Sequence, residues 1–249
     1  MKVVVYTAIM AKDPKSDIPL DMPGQFTRIP GWDYILITNH INGKKIFKTS
    51  GWNQCDIRIM SPPDDEMPPK SRRGEAIYAA RWCKWHPDSL FSNYDVAIWV
   101  DGWKIPDFNQ VDNWYTLVDS VYNQTNSYDI VFDKHDKNKC VYEEHKSIIF
   151  CEKDTYSNIL KTTKYVKTMG FPTDYGVFWT GCYIYRIGSK YVGKVMKDLW
   201  DDMLIYTYRD QALLTYEIWR NAALDIWGTA PLARMVIPIC TDQNHCGYI

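Results

Sequence analysis

The chain has 249 residues, a formal net charge of −1, 11 Trp, 18 Tyr and seven Cys. Charge this evenly balanced leaves no basic footprint for nucleic acid or an anionic membrane, and no stretch approaches the roughly 20 apolar residues of a membrane span. The length suits one large α/β domain with a sizeable core.

The N-terminal run Met1 to Met10 is too short and too β-branched for a signal peptide. The cysteines at 55, 83, 140, 151, 182, 240 and 246 form no C-x-x-C pair, which fits reduced thiols and a cytoplasmic protein. Asn123-Gln124-Thr125 matches a glycosylation sequon, a pattern with little weight where no secretory signal accompanies it.

In chain order, Val3 to Ile9 reads as a buried strand, and Ala11 to Gly31 as a long loop leaving its carboxyl end. Trp32 to Asn39 is a second strand, and Cys55 to Met60 a third, alternating so that one side is exposed. Ser61 to Lys70, with four prolines, predicts a rigid crossing without a helix. Ser71 to Trp85 then predicts a helix capped by Ser71, with Arg73, Arg81 and Lys84 on one face and Tyr78, Trp82 and Trp85 on another. Tyr94 to Gly102 is an apolar run ending in a carboxylate and a glycine. Four or five consecutive β-formers without alternation mark a strand covered on both faces.

Val111 to Tyr122 reads as a helix and Tyr128 to Phe132 as a short strand; Tyr142 to Cys151 and Thr155 to Met169 read as two further helices. Val177 to Arg186 is a strand interrupted at Gly181, where a ligand or another backbone can come close. Ser189 to Met203 is a helix, and Arg209-Asp210-Gln211 opens a last one reaching about Leu224, with Leu213, Leu214, Ile218 and Ala222 facing the core. Pro238 to Ile249 reads as a surface tail. No repeat or composition break divides the chain.

Several chemistries are excluded by pattern. Neither G-x-x-x-x-G-K-S/T nor G-x-G-x-x-G occurs, nor G-x-S-x-G, H-E-x-x-H or a cysteine cluster, which weighs against P-loop enzymes, dinucleotide oxidoreductases, serine hydrolases and structural zinc. Ligands of open α/β sheets gather outside the carboxyl ends of the strands. Asp101 is therefore the first candidate: it can bind Mn²⁺ or Mg²⁺, which favour carboxylate, water and phosphate oxygens. Arg81 and Lys84 suit a diphosphate, and Asp210 can deprotonate a hydroxyl or hold a sugar. Plainer readings stand beside each: Asp101-Gly102 as a simple turn, the cations as a solvated face, Asp210 as a helix-dipole partner. Glu143 and Glu144 rank lower, because a charge pair at a helix start is usually solvated.

An ordered set of segments resembles a known family. It comprises Val4 to Ile9, Ala80-Arg81 with Lys84, Ile98-Trp99-Val100-Asp101-Gly102, Lys134-His135 with Cys140-Val141-Tyr142-Glu143, Gly170-Phe171-Pro172, Gly176, Arg186 and Arg209-Asp210-Gln211. The family is the glycosyltransferase-like domain of plant proteins of seed mucilage and pollen turgor, with bacterial and viral relatives that include chlorella viruses. The resemblance implies a GT-A-like single domain over residues 1–249, with a central mostly parallel mixed sheet flanked by helices, a donor half to about 105 and an acceptor half beyond it. It implies transfer of a sugar from a nucleotide-diphosphate sugar, a UDP-sugar first among them, to a glycan or other hydroxyl acceptor.

By position, the resemblance puts Thr7, Ala8 and Ile9 at the base, Arg81 and Lys84 at the donor phosphates, and Asp101 with Gly102 at the ribose or metal. Asp210 would lie near the transferred sugar, and Lys134, His135, Thr180, Gly181, Arg209 and Gln211 on the substrate side. Two departures stand out. Trp103 replaces the second carboxylate of an Asp-x-Asp turn, which puts tight metal binding in doubt, and Phe178-Trp179-Thr180 stands where relatives tend to carry an acid. The alternative is a GT-A-shaped carbohydrate-binding or scaffold protein without turnover.

Overall fold

Strands buried on both faces form the centre of the molecule. The computed structural model describes residues 1–15, 28–47, 55–69, 74–102, 104–106, 111–123, 129–135, 137–223, 234–236 and 240–242. Its main sheet contains β1 (Val3–Ala8), β2 (Asp33–Thr38), β3 (Asp56–Ile59), β4 (Val96–Val100), β6 (Ile130–Lys134), β7 (Phe178–Arg186) and β8 (Arg234–Val236). Their order is β3-β2-β1-β4-β7-β6-β8. A second pair joins β5 (Lys104–Pro106) to β9 (Cys240–Asp242). Only β7 runs against its neighbours in the main sheet, so the expected mostly parallel mixed sheet is borne out.

Both faces are covered, which is why β1 and β4 read as unbroken apolar runs. On one face Val4, Tyr6, Ile37, Ala97, Trp99, Tyr183 and Tyr185 meet α2 (Glu75–Trp85), α7 (Lys190–Ile205) and α8 (Leu214–Ala223). Across the sheet, Val3, Val5, Leu36, Val96, Ile98, Val100 and Ile184 meet Trp114, Val118 and Val121 of α4 (Val111–Tyr122). The aromatic excess goes largely into this core: Trp85, Trp99, Trp114, Tyr6, Tyr78, Tyr183, Tyr185 and Tyr216 are among the largest fully buried side chains. Each such ring contributes on the order of 2–3 kcal/mol of burial.

Local signals set most boundaries. Ser189 Oγ accepts from Val192 N at 3.2 Å and opens α7; Thr155 Oγ1 accepts from Asn158 N at 3.2 Å and opens α6 (Tyr156–Thr168). Short helices α1 (Gly43–Ile46) and α3 (Pro87–Leu90) and the longer α5 (Val141–Phe150) complete the set.

Several expectations are corrected. The proline-rich crossing contains a 3₁₀ turn at Asp64–Glu66. Helix α2 begins at Glu75 after Gly74, which has a left-handed φ of 93° and a Cβ position 3.3 Å from the Tyr208 ring; Ser71 and Arg73 lie outside the described residues. Ile59 of β3 is exposed although it shares a face with buried Ile57. The last helix starts at Leu214, preceded by a 3₁₀ turn at Asp210–Ala212, and Ala222 is exposed while Leu213, Leu214 and Ile218 are buried. In the expected tail, Cys240–Asp242 is a strand; most of the remainder lies outside the described residues. No helix among the described residues is long and apolar enough to cross a membrane. Cys55, Cys83, Cys140, Cys151 and Cys182 are free thiols.

The α7–α8 contact encloses Glu217, which is fully buried beside Arg220 Nη2 at 2.5 Å. Arg220 also faces Asp198 at 3.3 Å and Asp202 at 3.6 Å. Burial first, then hydrogen bonding to Asp202, pushes the Glu217 carboxyl up to about 9. The folded chain thus keeps a proton that the unfolded chain releases near pH 4.5. Its stabilisation is complete below that pH and is lost as pH rises toward 9, by up to about 1.4 kcal/mol per unit. Glu217→Gln is expected to match wild type at pH 5 and to flatten the decline between pH 5 and 9 in urea melts.

Candidate functional site

The sheet order creates a crevice. From β1 the chain passes outward through β2 to β3, then returns to lay β4 on the other side of β1. That reversal between β1 and β4 is a topological switch point, where open α/β sheets bind ligands at the carboxyl ends of their strands. Asp101 follows β4 directly at this rim.

Four side chains converge there from distant parts of the sequence. Asp101 Oδ1 accepts from Trp99 Nε1 at 2.7 Å and from Lys84 Nζ at 3.3 Å, with Arg81 Nη1 at 3.5 Å. Asp210, on the 3₁₀ turn, closes the group: its Oδ2 lies 2.8 Å from Lys84 Nζ and its Oδ1 3.4 Å from Arg81 Nε. Side-chain exposure falls from 14% for Arg81 and 12% for Asp101 to 2% for Asp210 and 0% for Lys84. Arg81 and Lys84 therefore do not form a solvated face. Lys84 is enclosed, while Arg81 sits at the rim with long contacts.

The backbone explains why Lys84 is enclosed. Its carbonyl, near the end of α2, accepts from Tyr6 OH of β1 at 2.9 Å and from Tyr183 OH of β7. Those bonds pin the helix terminus over the sheet and aim Nζ between the two carboxylates. Burial lowers the Lys84 pKa, and the fields of Asp101 and Asp210 oppose that shift. For Asp210, burial raises the pKa, but Arg81 and Lys84 outweigh it and hold the carboxyl well below its ordinary range. Arg209 brings a third cation; its Nε is buried without a hydrogen-bond partner. Burial and Arg81 lower its pKa, opposed by Asp210, Asp101 and Glu144. Arg81, Lys84 and Arg209 stand against Asp101, Asp210 and Glu144, so the formal charges balance while Arg209 Nε is left without an acceptor.

Strand β7 connects this cluster to a second one. Its pairing with β6 slips between Phe132 and Asp133, so Thr180, Gly181 and Cys182 bulge out of that ladder. The other backbone expected near Gly181 is that of Asp101, whose N–H donates to Gly181 O at 2.8 Å. Thr180 Oγ1 donates to Gln211 Oε1 at 3.5 Å. Trp179 lies against His135, ring centroids 5.8 Å apart. His135 Nε2 is 3.4 Å from Glu144 Oε2, and Asn138 Nδ2 donates to the same oxygen at 2.5 Å.

Sequence reasoning underrated Glu144, which is 8% exposed, and overlooked His145 beside it. His145 Nε2 donates to Ala212 O at 2.8 Å and bolts the Asp210 turn to α5. The neighbouring Glu143 behaves as expected, exposed and accepting from Lys139 N.

Other expected positions are less engaged. Thr7, Ala8 and Ile9 are buried at the exit of β1; Ile9 packs on the face opposite Ala8, and Thr7 Oγ1 has no hydrogen-bond partner. Gly102 is buried in the turn after Asp101, and Lys134 ends β6 opposite Phe178. Trp103 lies outside the described residues.

Among the described residues, the donor set offers a resident Mn²⁺ or Mg²⁺ no more than the Asp101 carboxylate. No group of three or more His, Cys, Asp or Glu among the described residues could hold a metal. Asp101 offers one oxygen clear of the ion pairs, and its other oxygen lies within 3.3–3.5 Å of two cations that repel a divalent ion.

No protein-family model and no curated protein matches the sequence. Among solved structures, similarity extends to apo mouse xyloside xylosyltransferase 1, with 9% identity, a TM-score of 0.46 and coverage of 100% of this chain and 99% of that one. Glucosyl-3-phosphoglycerate synthase from Mycobacterium tuberculosis, in complex with Mn²⁺, UDP-glucose and glycerol 3-phosphate, has 12% identity and a TM-score of 0.42 over 98% of this chain and 72% of that one. The WbbM bifunctional glycosyltransferase has 11% identity and a TM-score of 0.43 over 95% and 38%. These are likenesses of outline, and the chemistry of the site rests on its own residues.

Removing Lys84 strands two buried carboxylates. Lys84→Met is expected to cost about 3–5 kcal/mol in urea unfolding, and Lys84→Met with Asp210→Asn to recover part of that loss. Additive losses would show that the ion pair carries no coupling.

Proposed function

We propose that the chain is a glycosyltransferase of GT-A type that takes a nucleotide-diphosphate sugar, a UDP-sugar first among candidates, and passes the sugar to a hydroxyl of a glycan. The observation that carries this reading is Arg209 Nε at the switch-point crevice, buried without an acceptor beside the cations Arg81 and Lys84. A diphosphate supplies the missing oxygens. Arg81, at the rim with contacts of 3.4–3.5 Å, is the cation most easily redirected to it.

In this reading Lys84 and Asp210 form the fixed floor, and Arg81 and Arg209 meet the charge that grows on the departing diphosphate. Asp101 holds Arg81 in readiness and faces the ribose. The described carboxylates do not build a metal centre, so cationic side chains take the neutralising role. The ordered motifs and the mixed sheet between two helical layers support the GT-A assignment and kinship with the plant mucilage and pollen-turgor family. One domain spans residues 1–249 in this scheme, with donor chemistry toward its N-terminal half, in the cytoplasm.

A carbohydrate-binding protein without turnover is the second reading, favoured by the ion pairing that occupies Asp210 on both oxygens. Release of UDP from a UDP-sugar separates the two.

UDP at 1 mM is expected to raise the melting temperature by a few degrees, as binding at about 100 times Kd does. The shift should persist in EDTA and weaken with added salt. Arg81→Ala should lower UDP affinity at least tenfold by titration calorimetry. A melting temperature indifferent to UDP and to every UDP-sugar, with or without Mn²⁺, removes the reading.

A further inference from the structure

Asp210 is buried with both oxygens in ion pairs to Lys84 and Arg81, so neither is open to take a proton from an attacking hydroxyl. The described site has another acid, whose carboxyl also lies below its ordinary range: burial raises it, but the bonds to His135 and Asn138 outweigh that. Glu144 projects from the first turn of α5, and its Oε2 is held by Asn138 Nδ2 at 2.5 Å and His135 Nε2 at 3.4 Å. Asn138 is itself fixed, its Oδ1 accepting from Ser147 Oγ at 3.1 Å.

The ring proton of His135 has one place to sit. Nδ1 accepts from the backbone N–H groups of Lys137 at 3.1 Å and Asn138 at 2.9 Å, which leaves Nε2–H to donate toward Glu144. His135 is therefore a donor that orients the carboxylate, and its own lone pair is occupied. Glu144 Oε1 takes no part in these bonds.

The position also suits an acceptor. The field of Glu144 reaches Arg209, as do those of Asp101 and Asp210, so one cation feels both acidic groups. Along β7, Gly181 touches the Asp101 backbone, and Trp179, two residues away, touches His135. Strand β7 thus carries both clusters on neighbouring residues.

We propose that Glu144 is the catalytic base of the transfer and that Asn138 and His135 position it. This role rests on the glycosyltransferase reading above. In the step, the acceptor hydroxyl gives its proton to Glu144 Oε1, and its oxygen bonds the anomeric carbon. The bond from that carbon to the β-phosphate oxygen breaks, its electron pair leaving on the nucleoside diphosphate. Water can take the acceptor's place, so hydrolysis reads the same chemistry without a known acceptor.

The test uses the full chain and whichever of UDP-glucose, UDP-galactose, UDP-xylose and UDP-N-acetylglucosamine raises its melting temperature most. UDP release is followed by chromatography, in water alone and with methyl glycosides of glucose, galactose and xylose. Glu144→Gln, which keeps the shape and the Asn138 bond, is expected to hold UDP affinity within about twofold. Its kcat for UDP release should fall about 100-fold or more, with KM little changed. Asn138→Ala should give a smaller loss of kcat. A Glu144→Gln rate within threefold of wild type, with UDP binding kept, overturns the role and leaves the donor reading standing. Loss of UDP binding in Glu144→Gln also overturns it, because the residue then supports the donor site. Wild-type protein that binds UDP without releasing it from any donor sugar overturns the base and the transferase reading together, leaving a nucleotide-binding protein; wild-type protein that binds no UDP overturns the donor site as well.

Discussion

The ammonium of Lys84, shut away from water between Asp101 and Asp210, is the contact on which the site's geometry depends. An isolated buried charge of either sign would be costly, so each of these groups is tolerable only because the others are present. The constraint ties together α2, the exit of β4 and the 3₁₀ turn before α8, elements that share no local sequence. It also separates the cations: Lys84 has no exposure and fixes distances, while Arg81 keeps some exposure at the rim.

The tyrosines behind Lys84 show how a core becomes a scaffold for chemistry. Tyr6 and Tyr183 satisfy a carbonyl at the helix end that would otherwise lack a partner. The Trp85 ring stacks on Tyr183 with centroids 5.2 Å apart and prevents the helix from rolling. The stiffness of the site is thus inherited from aromatic packing beneath it. His145 does the same from the other side by holding the Asp210 turn against α5.

Much of the fold was legible because its physics is local. Doubly covered strands lack alternation, and β1, β2 and β4 were readable for that reason. The site was legible only to the level of residue types at strand and helix ends. Arg81, Lys84 and Asp101 could be named, but whether Lys84 would meet a ligand or a wall depended on Tyr6, 78 residues away, and Tyr183, 99 residues away. Glu143 and Glu144 were indistinguishable in sequence. Which of them turned inward was decided by the side of α5 that docks on the Asp210 turn, a tertiary fact with no local signature. The Gly74 start of α2 was likewise hidden, because it answers to the Tyr208 ring rather than to a capping side chain.

The slip in the β6–β7 ladder separates two registers within one strand. Phe178 and Tyr183 pack on the same side of the sheet although five positions apart, a spacing that strict alternation forbids. Both ends of the strand therefore remain anchored in the core, while Trp179, next to Phe178 but on the opposite side, is turned toward His135. One strand serves foundation and crevice wall at once, and a change of length within Thr180 to Cys182 would reach Asp101 through Gly181.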